Sequence, residues 1–247
     1  MLNDNYIRGI CIDWSKITKE SYLKNIPSLK DLEYLNFDNR ITFFVGENGT
    51  GKSTLLEAIA VAYGFNAEGG TINYNFSTYN DVSELCDAIK ITKSYRRAKR
   101  GFFFRAESFF NVASKSEEYR DTTPKEIFYE QYGGKSLHQQ SHGESFLSFF
   151  QNYNKEGLYI MDEPEAALSP QRQLTLLLQI AKMKEKGSQF IIATHSPILL
   201  GLPDVDIYSF DNHQIKLCNY EDTECYTTMK LFINNRELFL NRLLGES

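Results

Sequence analysis

The chain has 247 residues, of which 42% are hydrophobic and 24% charged, with a formal net charge of −5. That length suits one large domain or two lobes sharing a core. The mild acidity gives no global pull toward nucleic acid or an anionic membrane but leaves room for a local basic patch. Cys11, Cys86, Cys218 and Cys225 lack paired ligand spacing, which argues against a zinc site or disulfide framework and for a reducing, cytoplasmic setting. The first residues carry no cationic and apolar leader pattern, and no apolar run approaches the roughly 18 residues of a spanning helix. Neither secretion nor membrane insertion is expected.

In chain order, Tyr6 to Ile12 reads as a first strand and Pro27 as a turn before a polar segment, Ser28 to Arg40. Ile41 to Val45 is a buried strand, and the residues from Thr54 to Val61 a helix. Gly64 to Gly70 is a glycine-punctuated connection, and the spacing predicts an amphipathic helix over Asp81 to Thr92. Gly101 to Phe104 is a strand, Ser114 to Glu130 an exposed helix, and Ser145 to Asn152 a helix start after the break at Gly133-Gly134. Gly157 to Met161 and Phe190 to Ala193 are apolar strands. Between them a helix runs from Ser169 to Lys186, with its apolar face at Leu174, Leu177, Leu178 and Ala181 and a glycine stop at Gly187. Asp206 to Phe210 and Gln214 to Cys218 suggest a hairpin, and Thr227 to Leu244 a last helix. Strands alternating with helices predict an α/β fold with a mostly parallel sheet covered on both faces.

Gly46-Glu47-Asn48-Gly49-Thr50-Gly51-Lys52-Ser53 fits the phosphate-binding pattern G-x-x-x-x-G-K-[ST] and lies between a strand and a helix. Backbone N–H groups and the helix dipole then face an anion, so Gly46 through Thr54 are candidate nucleotide contacts. Lys52 would reach the β- and γ-phosphates and Ser53 would bind Mg²⁺. The strand ending at Met161 is followed by Asp162 and Glu163, one acid for the metal and one to orient and deprotonate the attacking water. The alternative is an exposed acidic turn into Pro164. Strand 190–193 ends in Thr194-His195-Ser196-Pro197, which places His195 at the carboxyl edge of the sheet, where it can sense a γ-phosphate. Ser141-His142-Gly143-Glu144 offers a serine hydroxyl and a glycine N–H at a helix start, a second anion site.

In this order the motifs resemble those of the ABC-type ATPases. The resemblance is closest to members related to RecF and the chromosome-maintenance ATPases, including small bacterial AAA-family ATP-binding proteins. It rests on residues 46–53, on Asp162-Glu163-Pro164-Glu165-Ala166-Ala167-Leu168-Ser169-Pro170 and on Ala193-Thr194-His195-Ser196-Pro197. It implies a P-loop ATPase with a mostly parallel core sheet, helices on both faces, a small antiparallel sheet edge and a short helical lobe. A single domain would span 1–247, with a core lobe at 1–90 and 155–247 and a signature lobe at 91–154. It further implies Mg²⁺-dependent hydrolysis of ATP in a head-to-tail homodimer. Ser141 and Gly143 would then meet the γ-phosphate in trans, and Ala167, Leu168 and Ser169 would cross the interface. The signature departs from the usual pattern, with His142 for a glycine and Gln140 for a leucine. No glutamine loop is evident; Glu107 stands near its place, as a metal ligand or as a partner for Arg105. Trp14 and Tyr22 are candidates for adenine stacking, with core roles as the alternative.

Lys90, Lys93, Arg96, Arg97, Lys99 and Arg100 form a basic run uninterrupted by acids. It suits a nucleic-acid backbone; the alternatives are a solvated, positively charged loop or a patch facing an acidic protein. The functional expectation is a cytoplasmic ATPase whose cycle acts on DNA, RNA or a protein. The alternatives are the ATP-binding subunit of a membrane transporter and an ATP-dependent component of a defence or toxin system.

Overall fold

The computed structural model describes residues 4–72, 83–106, 108–109, 142–152 and 155–245. Its main element is a seven-stranded sheet. In chain order the members are β3 (Ile41–Val45), β4 (Gly70–Thr71), β6 (Gly101–Arg105), β7 (Leu158–Asp162), β8 (Gln189–Ala193), β9 (Asp206–Ser209) and β10 (Lys216–Leu217). The spatial order is β10-β9-β3-β8-β7-β6-β4. The five central strands run parallel, and the two short edge strands run antiparallel to their neighbours. A smaller antiparallel sheet joins β1 (Ile7–Ile12), β2 (Tyr34–Asn36) and β5 (Ile89–Lys93) in the order β2-β1-β5.

The central strands are buried along almost their whole length and mostly apolar because both faces are covered. Phe44, Phe103, Leu158, Ile160, Ile191 and Ala193 join one core with α1 (Lys52–Tyr63) and the small sheet. Their alternating neighbours Phe43, Phe104, Tyr159, Met161, Phe190 and Ile192 join the other. That second core packs against α3 (His142–Asn152), α4 (Pro170–Glu185) and α5 (Pro197–Leu200). Each of the named Leu, Ile, Met and Phe side chains, taken fully out of water, stabilises the fold by roughly 1.5–3 kcal/mol. Gln189 is completely buried, and its amide exchanges two hydrogen bonds of 2.8 Å with the backbone of Ile7. The side chain thus acts as one more rung and ties β1 to the large sheet.

Four elements differ from the sequence expectations. The helix read over Asp81 to Thr92 is, among the described residues, only α2 (Leu85–Ala88), followed directly by β5. From Ile89 the apolar period is two, and Ile89 and Ile91 pair with Ile12 and Ile10 across the sheet. The polar segment 28–40 contains β2, whose Leu35 is the one buried side chain between exposed Tyr34 and Asn36. On α4 the buried face is Leu176, Ile180 and Met183, while Leu174 and Leu178 are exposed. Four leucines lie between 174 and 178, so composition alone does not set the phase of that helix. The last helix is two: α6 (Glu224–Asn234) and α7 (Arg236–Leu244), broken at Asn235, which has φ −135 and ψ 38. The β9–β10 hairpin forms as expected. The helix read over Ser114 to Glu130 lies outside the described residues.

Candidate active site

β3, β7, β8 and β9 end at one edge of the sheet, and the chemistry-bearing residues follow each end. After β3, the loop from Gly46 to Gly51 turns through left-handed backbone at Gly46 (φ 140), Gly49 (φ 80) and Gly51 (φ 93), a shape that side-chain-bearing residues adopt poorly. Thr50 braces the loop from within through a 2.8 Å hydrogen bond to the Glu47 carbonyl, and the Ser28 hydroxyl bonds the Thr50 carbonyl. Lys52 opens α1 and is buried. Its Nζ donates to the Gly46 and Glu47 carbonyls, each at 2.7 Å. Burial pushes its pKa below the ordinary lysine value, against the attraction of Glu163, Asp211, Asp162 and Glu165, which favour the ammonium.

The Ser53 hydroxyl donates to Asp162 Oδ1 at 2.9 Å. Asp162, the last residue of β7, is buried and level with Ala193 of β8. These two hard oxygen donors, converging beside a phosphate-type loop, fit Mg²⁺, which takes few protein ligands and completes its shell with water and phosphate oxygens. Among the described residues no group of three or more His, Cys, Asp or Glu could hold a metal alone. Glu163 has φ 48, unusual for a side-chain-bearing residue and more so before Pro164, a placement that costs roughly 1–3 kcal/mol. Its N–H donates to Ala193 O at 2.9 Å, so β8 holds the turn that lifts its carboxylate out of the strand line. Glu163 Oε1 then lies 3.7 Å from His195 Nε2, which has no hydrogen-bond partner among the described residues.

The structure therefore brings together Lys52, Ser53, Asp162, Glu163 and His195. Gly143, in the first turn of α3, sits against the Ala167 carbonyl so closely that any Cβ would overlap it. Glu144 pairs with Arg172 at 2.8 Å. Ser141 and Glu107 lie outside the described residues, and Arg105 pairs with Glu57 at 2.6 Å. Trp14 donates to Leu32 O at 2.9 Å and packs against the core, whereas Tyr22 is exposed.

Within the basic run, Arg96 is held by Asp4 at 3.0 Å and by Glu156, and Lys90 lies 3.5 Å from Asp13. Lys93 stands over the Tyr63 ring at 4.8 Å. Arg97, Lys99 and Arg100 are exposed. The run is uninterrupted in sequence, yet acids from distant segments meet part of it.

Three further residues were not singled out in the sequence. Asp211 follows β9, accepts the Glu47 N–H at 3.0 Å and the Ser209 hydroxyl at 2.9 Å, and so pins the start of the phosphate loop. The rule that placed His195 at a strand's carboxyl end applies equally to β9 and points to Asp211. Glu165 accepts the His195 N–H at 2.6 Å, and Gln173 accepts the Ser196 hydroxyl at 2.7 Å. A cavity of about 590 Å³ opens between Gly46, Glu163, His195 and Asp211, with Glu224 and Thr228 of α6 on its rim.

The AAA domain family matches residues 22–193. An ABC transporter ATP-binding protein of Methanosarcina acetivorans is 28% identical over 200 residues, covering 71% of this chain and 70% of the relative. The galactose/methyl galactoside import ATP-binding protein MglA of Pasteurella multocida is 28% identical over 201 residues, covering 72% of this chain. The match spans 38% of MglA's own length. The ADP conformation of an ATP-binding cassette of an ABC transporter aligns with a TM-score of 0.49 at 16% identity, covering 85% of this chain and 90% of that one. No helix among the described residues is long and apolar enough to cross a membrane. With a phosphate loop, two strand-end acids and a strand-end histidine on one parallel sheet, the chain belongs to the AAA-domain family, as a P-loop protein of the ABC ATPase type.

Proposed function

We propose that the protein binds ATP and hydrolyses it to ADP and phosphate with Mg²⁺. The observation that carries this reading is the convergence of Ser53 and Asp162 at 2.9 Å between the buried Lys52 and the raised Glu163. Gly46 to Thr54 cradle the triphosphate with backbone N–H groups, and Lys52 neutralises its terminal charge. Ser53 and Asp162 would hold Mg²⁺, which supplies further charge neutralisation at the phosphates. Glu163 orients the attacking water and takes its proton, and His195 donates to the γ-phosphate.

The active form in this reading is a homodimer sandwiching ATP, with Ser141 and Gly143 completing the partner's site and residues 167–169 at the interface. Its cycle alternates a closed, ATP-bound pair with an open one. The target is DNA, RNA or a partner protein. Lys90, Lys93, Arg97, Lys99 and Arg100 are the surface for a phosphate backbone, and the paired Arg96 contributes least. A second reading, the ATP-binding subunit of a transporter, is favoured by the names of the relatives in M. acetivorans and P. multocida. The test is inorganic phosphate release from Mg²⁺-ATP, with and without DNA or RNA at low salt. Release in Mg²⁺ supports the reading, and stimulation by nucleic acid supports that target. Absence of release overturns it. Co-purification with a polytopic membrane protein, without nucleic-acid stimulation, favours the transporter reading.

A further inference from the structure

The turn that carries His195 is stitched to the loop after β7 by side chains that the proposed chemistry does not use. Glu165 accepts the His195 N–H at 2.6 Å. Its carboxyl is partly buried; burial pushes its pKa above the ordinary value, while the His195 N–H and the Thr194 hydroxyl favour the charged form. Gln173 on α4 works from the other side. Its Oε1 accepts the Ser196 hydroxyl at 2.7 Å, and its Nε2 donates to the Leu168 carbonyl at 3.0 Å. Ser196 in turn caps α5 by accepting the Leu199 N–H at 3.1 Å. Leu168 N–H donates to Glu165 O at 2.8 Å, so both clamps act on one loop, residues 163–168. The outer side of that loop meets α3, where the Ala167 carbonyl lies against Gly143.

We propose that Glu165 and Gln173 are positioning residues that hold the 194–196 turn on the 163–168 loop, so that the His195 imidazole faces the γ-phosphate only while that loop is seated. Hydrogen-bond networks joined to packed elements in this way are carriers of coupling between sites. A shift of the loop at Ala167 then withdraws His195 from the site without touching the nucleotide. The inference rests on the ATPase reading for its consequence but not for its geometry.

The test measures phosphate release against ATP concentration, together with amide hydrogen exchange over residues 194–199. It uses the wild type, Glu165→Ala, Glu165→Gln and Gln173→Met. Leaving the His195 N–H donor of this part-buried hydrogen bond without its acceptor predicts that Glu165→Ala lowers kcat about 10- to 100-fold while KM stays within about threefold. Exchange at 194–199 accelerates. Glu165→Gln keeps the acceptor oxygen and restores both readouts; Gln173→Met moves both in the same direction as Glu165→Ala. Unchanged kcat and exchange in Glu165→Ala overturn the proposal, as does a Glu165→Gln variant as impaired as Glu165→Ala. Should Glu165→Ala fail to fold, Gln173→Met decides by the same two readouts. Should the wild type release no phosphate, the ATPase reading fails, and the exchange arm alone still decides whether the clamp exists.

Discussion

The strand-end edge of the large sheet and the C-terminal helix pair are built on opposite terms. At the edge, apolar strands buried on both faces hold a handful of polar residues within hydrogen-bond reach of one another. In α6 and α7 no residue is buried, and Ile233 and Leu243 are 67% and 72% exposed. Both helices carry apolar residues at helical spacing, yet that spacing does not place them in the core. Polar precision is confined to the region where packing is dense, because only there does the loss of one partner leave a group desolvated.

That contrast is sharpest in mutational cost. Phe44 is fully buried and touches Phe37, Tyr208 and Phe210, so Phe44→Ala should destabilise by about 3–5 kcal/mol in denaturant titration. Ile233→Ser should stay within about 0.5 kcal/mol. Comparable losses at the two positions would break the comparison. Next in size is Asp211→Ala, which frees the Glu47 N–H. We expect ATP binding to weaken about 10-fold or more with little change in melting temperature, measured by titration with a fluorescent ATP analogue.

A smaller effect belongs to the N-terminal ion cluster. Desolvation raises the Asp4 carboxyl, but its hydrogen bond and charge contact with Arg40, together with Arg96, outweigh this and lower its pKa below the ordinary 3.8. A lowered acid contributes stability in full above its unfolded value and loses it as pH falls through the folded one. Unfolding free energy should therefore drop below about pH 4, by about 1 kcal/mol for this partly exposed cluster, and Asp4→Asn should remove that share of the drop. An identical acid profile in Asp4→Asn would dissociate the cluster from stability. Smallest is Lys99→Ala, which should leave stability within about 0.5 kcal/mol, since Lys99 is exposed.

The phosphate loop, the two acids and His195 were legible because each follows an apolar strand that can be read directly. Glu165 and Gln173 were not, and for Asp211 the strand-end rule points to the position but not to its role, since all three roles depend on partners 30, 23 and 164 residues away. The same limit explains β2 and β5, short strands specified by pairing with β1. It also explains Arg96, whose acids Asp4 and Glu156 lie 92 and 60 residues distant. Local period names an element; long-range polar contacts appear only once the chain is folded.

The most direct measurement is single-turnover hydrolysis by wild type and Glu163→Gln, with bound nucleotide assayed on the same samples. The account predicts that Glu163→Gln retains Mg²⁺-ATP while phosphate release falls by roughly 10²- to 10⁴-fold, because the strand-end carboxylate handles the water and not the nucleotide. A Glu163→Gln variant that hydrolyses ATP as fast as the wild type would contradict it.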